Sequence, residues 1–192
     1  MINDAVVIEE SGNQPERFAA LYDRHAPTIH RYLIRRVGRE TAEDLLTETF
    51  LAAFRKRRRY DRAWPDARPW LYGIATNLVG QHRRDATRRD RLRQSGGPPA
   101  DAPDFAQRAV VQLTAQATRS ALAEALASLA SQDRDVLLLI AWEDLSYDEV
   151  SRALKIPVGT VKSRLHRARI KVREALANTD VSAIYEEIMT NE

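Results

Sequence analysis

Residues 145–169 read LSYDEVSRALKIPVGTVKSRLHRAR, and the fold turns on this stretch. Ser146 followed three residues later by Glu149 is a capping box, in which hydroxyl and carboxylate each satisfy a backbone amide that a helix start leaves free. Leu145 before it and Val150 within it are placed to staple the helix entry. A short helix to Leu154, a tight turn through Lys155, Ile156 and Pro157, and a longer helix from about Val158 make a helix-turn-helix. On the second helix, at 3.6 residues per turn, Val161, Leu165, Ala168 and Val172 share one face. Thr160, Lys162, Ser163, Arg164, His166, Arg167 and Arg169 fill the remaining arc. A basic outer face on an amphipathic helix is often only a solvated face. This one follows a turn of helix-turn-helix length and has almost no acids to balance it, which points to duplex DNA, with donors for phosphates and base edges.

Outward from that motif, ATRSALAEALASLA (117–130) and SQDRDVLLLIAWED (131–144) read as two further helices, with Ser131 the expected N-cap of the second. Further upstream, QSGGPPADAPD (94–104) clusters glycine and proline without apolar periodicity and reads as a linker. Before it, Phe18, Leu21, Tyr22, Ile29 and Leu33 recur at helical spacing. TAEDLLTETFLAAF (41–54) adds Leu46, Phe50 and Phe54 four apart, with Thr41 as the expected cap and acids in the first turn. A third long helix is expected from near Pro69 to Arg84. No segment alternates convincingly with period two. The expected fold is all-α: two small helical domains at 12–93 and 116–177, a flexible linker at 94–115 between them, and an acidic tail at 178–192.

Charge adds position rather than amount. The formal net charge of the 192 residues is only +3, with a pI near 9.4. Yet six basic residues lie between Arg55 and Arg62, six arginines between Arg83 and Arg93, and six lysines and arginines between Lys162 and Arg173. The absence of cysteine excludes disulfides, thiolate metal sites and a cysteine nucleophile, and suits a reducing cytosol. The first residues carry acids where a signal peptide would carry positive charge, and nowhere do about 18 apolar residues run together. A cytoplasmic protein without membrane insertion is expected. His25, His30, His82 and His166 fall outside any metal-ligand spacing and no phosphate-binding glycine loop occurs, so neither a cofactor nor an enzymatic activity is expected.

Two further constellations carry chemistry. FRKRRRYDRAWPDARPWLYGIATN (54–77) interleaves Arg57, Arg58 and Arg59 with Tyr60, Trp64, Trp70 and Tyr72. Arginines can track a phosphate backbone while aromatic rings stack bases, so single-stranded or melted nucleic acid is the expected ligand; the alternative is a charged loop with structural tryptophans. In the preceding helix, Asp44, Thr47, Glu48 and Leu51 line one side. In a chain whose other faces are basic, an acidic ridge beside an exposed leucine suits a protein partner.

The order of these parts resembles the extracytoplasmic-function (group IV) sigma factors of bacterial RNA polymerase. LSYDEVSRALKIPVGTVKSRLHRAR looks like one conserved region of that family, and AEDLLTETFLAAF (42–54) and RPWLYGIATNLVGQHRR (68–84) look like parts of another. The resemblance implies a dissociable subunit that gives core polymerase its promoter choice. By it, Asp44, Thr47, Glu48 and Leu51 would dock on the clamp helices of the largest polymerase subunit. The loop from Arg57 to Asp66 and Asn77, with Trp70 in support, would capture the melted minus-ten element. Lys162, Ser163, His166 and Arg167 would meet base edges of the minus-thirty-five duplex, and Thr160, Arg164 and Arg169 its phosphates. An anti-sigma factor is a further partner implied only by resemblance. Two positions depart from the family pattern: Thr47, where glutamine is common, and Lys155, where the turn usually has glycine. The rival reading of the same residues is a dimeric helix-turn-helix regulator that acts without docking on polymerase.

Overall fold

In the computed structural model, residues 3–93 and 122–176 are described, with side chains through residue 89 in the first stretch. The chain divides into two compact units, Met1–Pro99 and Ala100–Glu192, the division falling inside the stretch read as a linker. The expected linker, the first residues of the expected C-terminal domain up to 121 and the acidic tail lie outside the described residues. Every regular element among the described residues is helical.

The N-terminal unit is built on α2 (Ala19–Val37), α3 (Arg39–Lys56) and α4 (Arg68–Arg93), each packed against the other two. Leu21, Ile29, Tyr32 and Leu33 of α2 and Leu71, Ala75 and Val79 of α4 are fully or almost fully buried between them. Tyr22 stays largely exposed and lies edge-on against Phe50, with ring centroids 4.8 Å apart. The core face of α3 is Ala42, Leu45, Thr49, Phe50 and Ala53, so Leu45 rather than Leu46 points inward and Phe54 sits half-buried at the rim. Thr49 is tolerated there because its hydroxyl donates to the Leu45 carbonyl at 2.6 Å.

The expected cap at Thr41 is replaced by an earlier start. Gly38 adopts φ 80°, a conformation open to glycine, so α2 ends and α3 begins on a single residue. Thr41 then lies inside the first turn. The unit also includes an element that precedes its expected start at residue 12: α1 (Asp4–Glu10), capped by the Asn3 side chain on the Ala5 amide at 2.9 Å. Two short 3-10 turns, Pro15–Phe18 and Arg57–Arg59, complete the unit.

In the C-terminal unit, α5 (122–128) precedes α6 (Ser131–Ala141), α7 (Tyr147–Leu154) and α8 (Val158–Leu176). Ser131 is the first helical residue and not the cap; Ala130 holds that position without a side-chain hydrogen bond. Arg134 reaches back to the carbonyls of Ala127 and Leu129 at 2.7 and 2.9 Å, tying α6 to the end of α5. The capping box forms as read: Ser146 Oγ accepts from the Glu149 amide at 3.3 Å, and Glu149 Oε2 from the Ser146 amide at 2.8 Å. Leu145 and Val150 are both buried. Lys155 takes the left-handed conformation, φ 54° and ψ 46°. The turn is held by Ser151, whose carbonyl accepts from the Ile156 amide at 3.1 Å and whose hydroxyl donates to the Ile156 carbonyl at 2.6 Å. On α8, Val161, Leu165, Ala168 and Val172 are buried, as is Leu176 one turn on.

Candidate nucleic-acid interface

Burying one face of α8 leaves the other to solvent, and the residues on it separate by what they touch. Lys162, Ser163 and His166 are exposed, while Thr160 is half-buried. The Ser163 hydroxyl donates to the Thr160 carbonyl at 3.1 Å, and Lys162 Nζ lies 5.9 Å from the Tyr147 ring centroid. Arg164 and Arg169 are half-buried, and Arg164 Nη2 donates to Gln132 Oε1 at 2.5 Å. Arg167 is engaged most firmly: Nη2 and Nε meet the two oxygens of Asp133 at 2.9 and 3.2 Å. These hydrogen bonds and the nearby negative charge raise the Arg167 pKa further above its ordinary value. Its carboxylate partner is buried, so the pair is part of how α8 is seated on α6. The helix-turn-helix thus presents donors at its open end, with a fixed arginine beside them.

In the N-terminal unit, the loop from Arg57 to Asp66 also divides. Arg57 stacks on the Phe54 ring, 3.8 Å from its centroid, and donates to the Phe54 and Ser11 carbonyls at 2.7 and 3.2 Å. Tyr60 is buried and its hydroxyl lies 2.8 and 3.1 Å from the carbonyls of Trp64 and Asp66, tying the loop across its neck. Trp70 is half-buried against Tyr60, with ring centroids 5.0 Å apart. Sequence reading placed Arg57 and Tyr60 with the nucleic-acid contacts; the structure puts them beneath the loop as its supports. Arg58, Arg59 and Trp64 are exposed, as is Asn77, two turns of α4 beyond Trp70 on the same side. Two exposed cations and an exposed ring can meet a sugar-phosphate chain and an unstacked base.

The acidic ridge is brought together as read. Asp44, Thr47, Glu48 and Leu51 are all exposed along α3, Leu51 by 45%. Thr47 turns its hydroxyl to the Glu43 carbonyl at 3.2 Å.

One cluster escaped sequence reading. Asp4, His25 and Asp66 place three potential ligand atoms within 4.8 Å of one another, although they are far apart in the chain. The geometry does not suit a cation. Asp4 Oδ1 takes Arg24, Oδ2 takes His25 Nε2 at 2.8 Å and the Ala67 amide at 2.9 Å, and Asp66 binds Arg68 Nε at 2.9 Å. Burial pushes the Asp4 carboxyl up, but the bonds from His25 and the Ala67 amide and the charges of His25 and Arg24 outweigh it, so it titrates below its ordinary value. An ionised carboxylate only accepts, so His25 donates. No helix among the described residues is long and apolar enough to cross a membrane.

Two family models match the chain. The family described as sigma-70 region 2 matches residues 21–89, and the family described as sigma-70, region 4 matches residues 119–172. The ECF RNA polymerase sigma factor SigL of Mycobacterium tuberculosis is 34% identical over 167 residues, 85% of this chain and 90% of that protein. The RNA polymerase sigma factor CarQ of Myxococcus xanthus is 34% identical over 176 residues, 86% and 92% of the two chains. Among solved structures, CnrH in complex with the cytosolic domain of CnrY is similar at a TM-score of 0.60 and 26% identity, over 92% of this chain and 98% of that one. The sigma factor RpoE of Bartonella quintana, in complex with the anti-sigma factor NepR, gives 0.63 over 84% and 97%; at 23% identity it speaks for the fold alone. With two sigma-70 regions in one chain and relatives a third identical along most of their length, the chain belongs to the extracytoplasmic-function sigma factors, which direct RNA polymerase to promoters and initiate transcription.

Proposed function

We propose a division of labour in which each exposed surface meets one partner. The ridge of Asp44, Thr47, Glu48 and Leu51 docks on the clamp helices of the largest subunit of core polymerase. Arg58, Arg59, Trp64 and Asn77 receive the melted minus-ten strand, with Arg57, Tyr60 and Trp70 supporting the loop from behind. Lys162, Ser163 and His166 meet base edges of the minus-thirty-five duplex, Thr160, Arg164 and Arg169 its phosphates, and Arg167 joins them at the price of its bond to Asp133. An anti-sigma factor is a further partner, supported by the similar CnrH structure being a complex with the cytosolic domain of another protein, CnrY. The protein works in the cytoplasm and needs no cofactor.

The observation that carries this reading is the exposed arc of α8. Lys162, Ser163 and His166 stand free of the core opposite Val161, Leu165 and Ala168, which are fully or almost fully buried, on the second helix of a helix-turn-helix. The test is in vitro transcription on a fragmented genomic library with purified core polymerase, with and without this protein. Transcripts that start from a shared two-part motif are expected. New transcripts without a shared two-part motif would overturn this division of labour.

A further inference from the structure

The family match to the N-terminal unit begins at residue 21, yet α1 lies before it and grips the loop that the proposed function assigns to single-stranded DNA. The grip is centred on one residue. Asp4 is 4% exposed. Its amide donates to the Pro65 carbonyl at 3.0 Å, and its Oδ2 accepts from the Ala67 amide at 2.9 Å. A single side chain with its own backbone therefore pins the chain on either side of Asp66. Asp66 in turn accepts from the Arg68 amide at 2.8 Å, at the first residue of α4. Where Asp4 holds the loop thus sets where α4 begins, and with it the placement of Trp70 and Asn77.

The carboxylate is itself anchored to α2, by His25 Nε2 at 2.8 Å and by Arg24. Farther along the strap, Glu9 pairs with Arg62 at 2.5 Å, and the Ser11 carbonyl accepts from Arg57 Nε at 3.2 Å. Successive points of residues 4–11 therefore hold successive points of 57–67. Of these side-chain bonds, those of Asp4 to His25 and to the Ala67 amide are buried, where a group left without its partner is most unfavourable.

We propose that Asp4 is a positioning residue for minus-ten recognition: through Pro65 and Ala67 it holds the loop in the shape that receives the melted strand. The proposal rests on the reading of that loop given above. Its test uses holoenzyme assembled from core polymerase and the full chain. Fluorescence anisotropy measures affinity for a labelled single strand carrying the minus-ten sequence found by the transcription experiment, and for a scrambled strand. Asp4→Ala should lower the cognate-to-scrambled ratio by about tenfold, with core-polymerase affinity and minus-thirty-five duplex binding unchanged. Asp4→Asn keeps an oxygen for the Ala67 amide and should restore most of the ratio, which a merely charge-dependent fold would not allow. If Asp4→Ala does not fold, Asp4→Glu carries the comparison: it keeps the charge facing Arg24 and His25 but displaces the grip by one methylene, and should lower the ratio likewise. A ratio unmoved by the variants that fold overturns the proposal while leaving the loop assignment intact. A wild-type holoenzyme indifferent to the two strands overturns the loop assignment, and the proposal with it.

Discussion

Two buried carboxylates, Asp4 and Asp133, each fix a cation or an amide that the rest of the unit depends on, and each makes a measurable claim. The native pKa of Asp4 is depressed below the ordinary 3.8. The unfolded chain therefore binds this proton first as pH falls, and the stability conferred by ionised Asp4 is fully present above that ordinary value and lost as pH drops through the lower native one. Urea unfolding should show the margin of wild type over Asp4→Asn shrinking as pH falls below about 4. A margin independent of pH would mean that charge contributes nothing there. Asp133 makes the complementary case. Arg167→Ala leaves a buried carboxylate without its fork and should lower the melting temperature of the chain, whereas Lys162→Ala and His166→Ala, at exposed positions, should weaken duplex binding and leave melting unchanged.

Helix ends show what local sequence can and cannot announce. The box of Ser146 and Glu149 was legible because everything it needs lies within four residues. Thr41 and Ser131 have the right side chains to cap, and neither does so. Gly38 starts α3 early through a conformation invisible in side-chain chemistry, and α6 begins at Ser131 itself, one residue past the position from which its hydroxyl would cap. The strap α1 was illegible for a different reason: seven residues are too few for a periodic signal, and the partners of Asp4 lie 21 and 63 residues away. Lys155, singled out in the sequence only because the family usually has glycine there, takes the left-handed conformation at φ 54°. Lys155→Gly should therefore raise stability by about 0.5 to 1 kcal/mol, the left-handed penalty less the greater entropy glycine loses on folding. Gly38→Ala should do the opposite and destabilise by about 1 kcal/mol or more, because φ 80° is unfavourable for any side chain. Chemical denaturation of the two variants checks both signs.

Across the whole chain, exposure was legible wherever residues recur at helical spacing. The ridge on α3 and the outer arc of α8 are where the periodicity puts them. The loop was only half legible, because nothing in the run from Arg57 to Trp64 tells which arginine faces solvent and which lies under a phenylalanine. The assignments separate cleanly by experiment: Asp44→Lys with Glu48→Lys should abolish retention by immobilised core polymerase while the protein's affinity for minus-thirty-five duplex stays unchanged. The fork between Arg167 and Asp133 changes how salt should act. An arginine that reaches DNA from bulk water adds its share to the release of condensed ions, about 0.9 per phosphate neutralised. If Arg167 leaves Asp133 for a phosphate in the proposed complex, it would exchange one anion for another and leave Asp133 to attract a cation of its own, so that contact would be close to neutral in ion traffic. Titrating duplex affinity against potassium chloride should then give Asp133→Ala a steeper logarithmic slope than wild type, so that a carboxylate off the promoter would govern how strongly the cell's ionic strength is felt there.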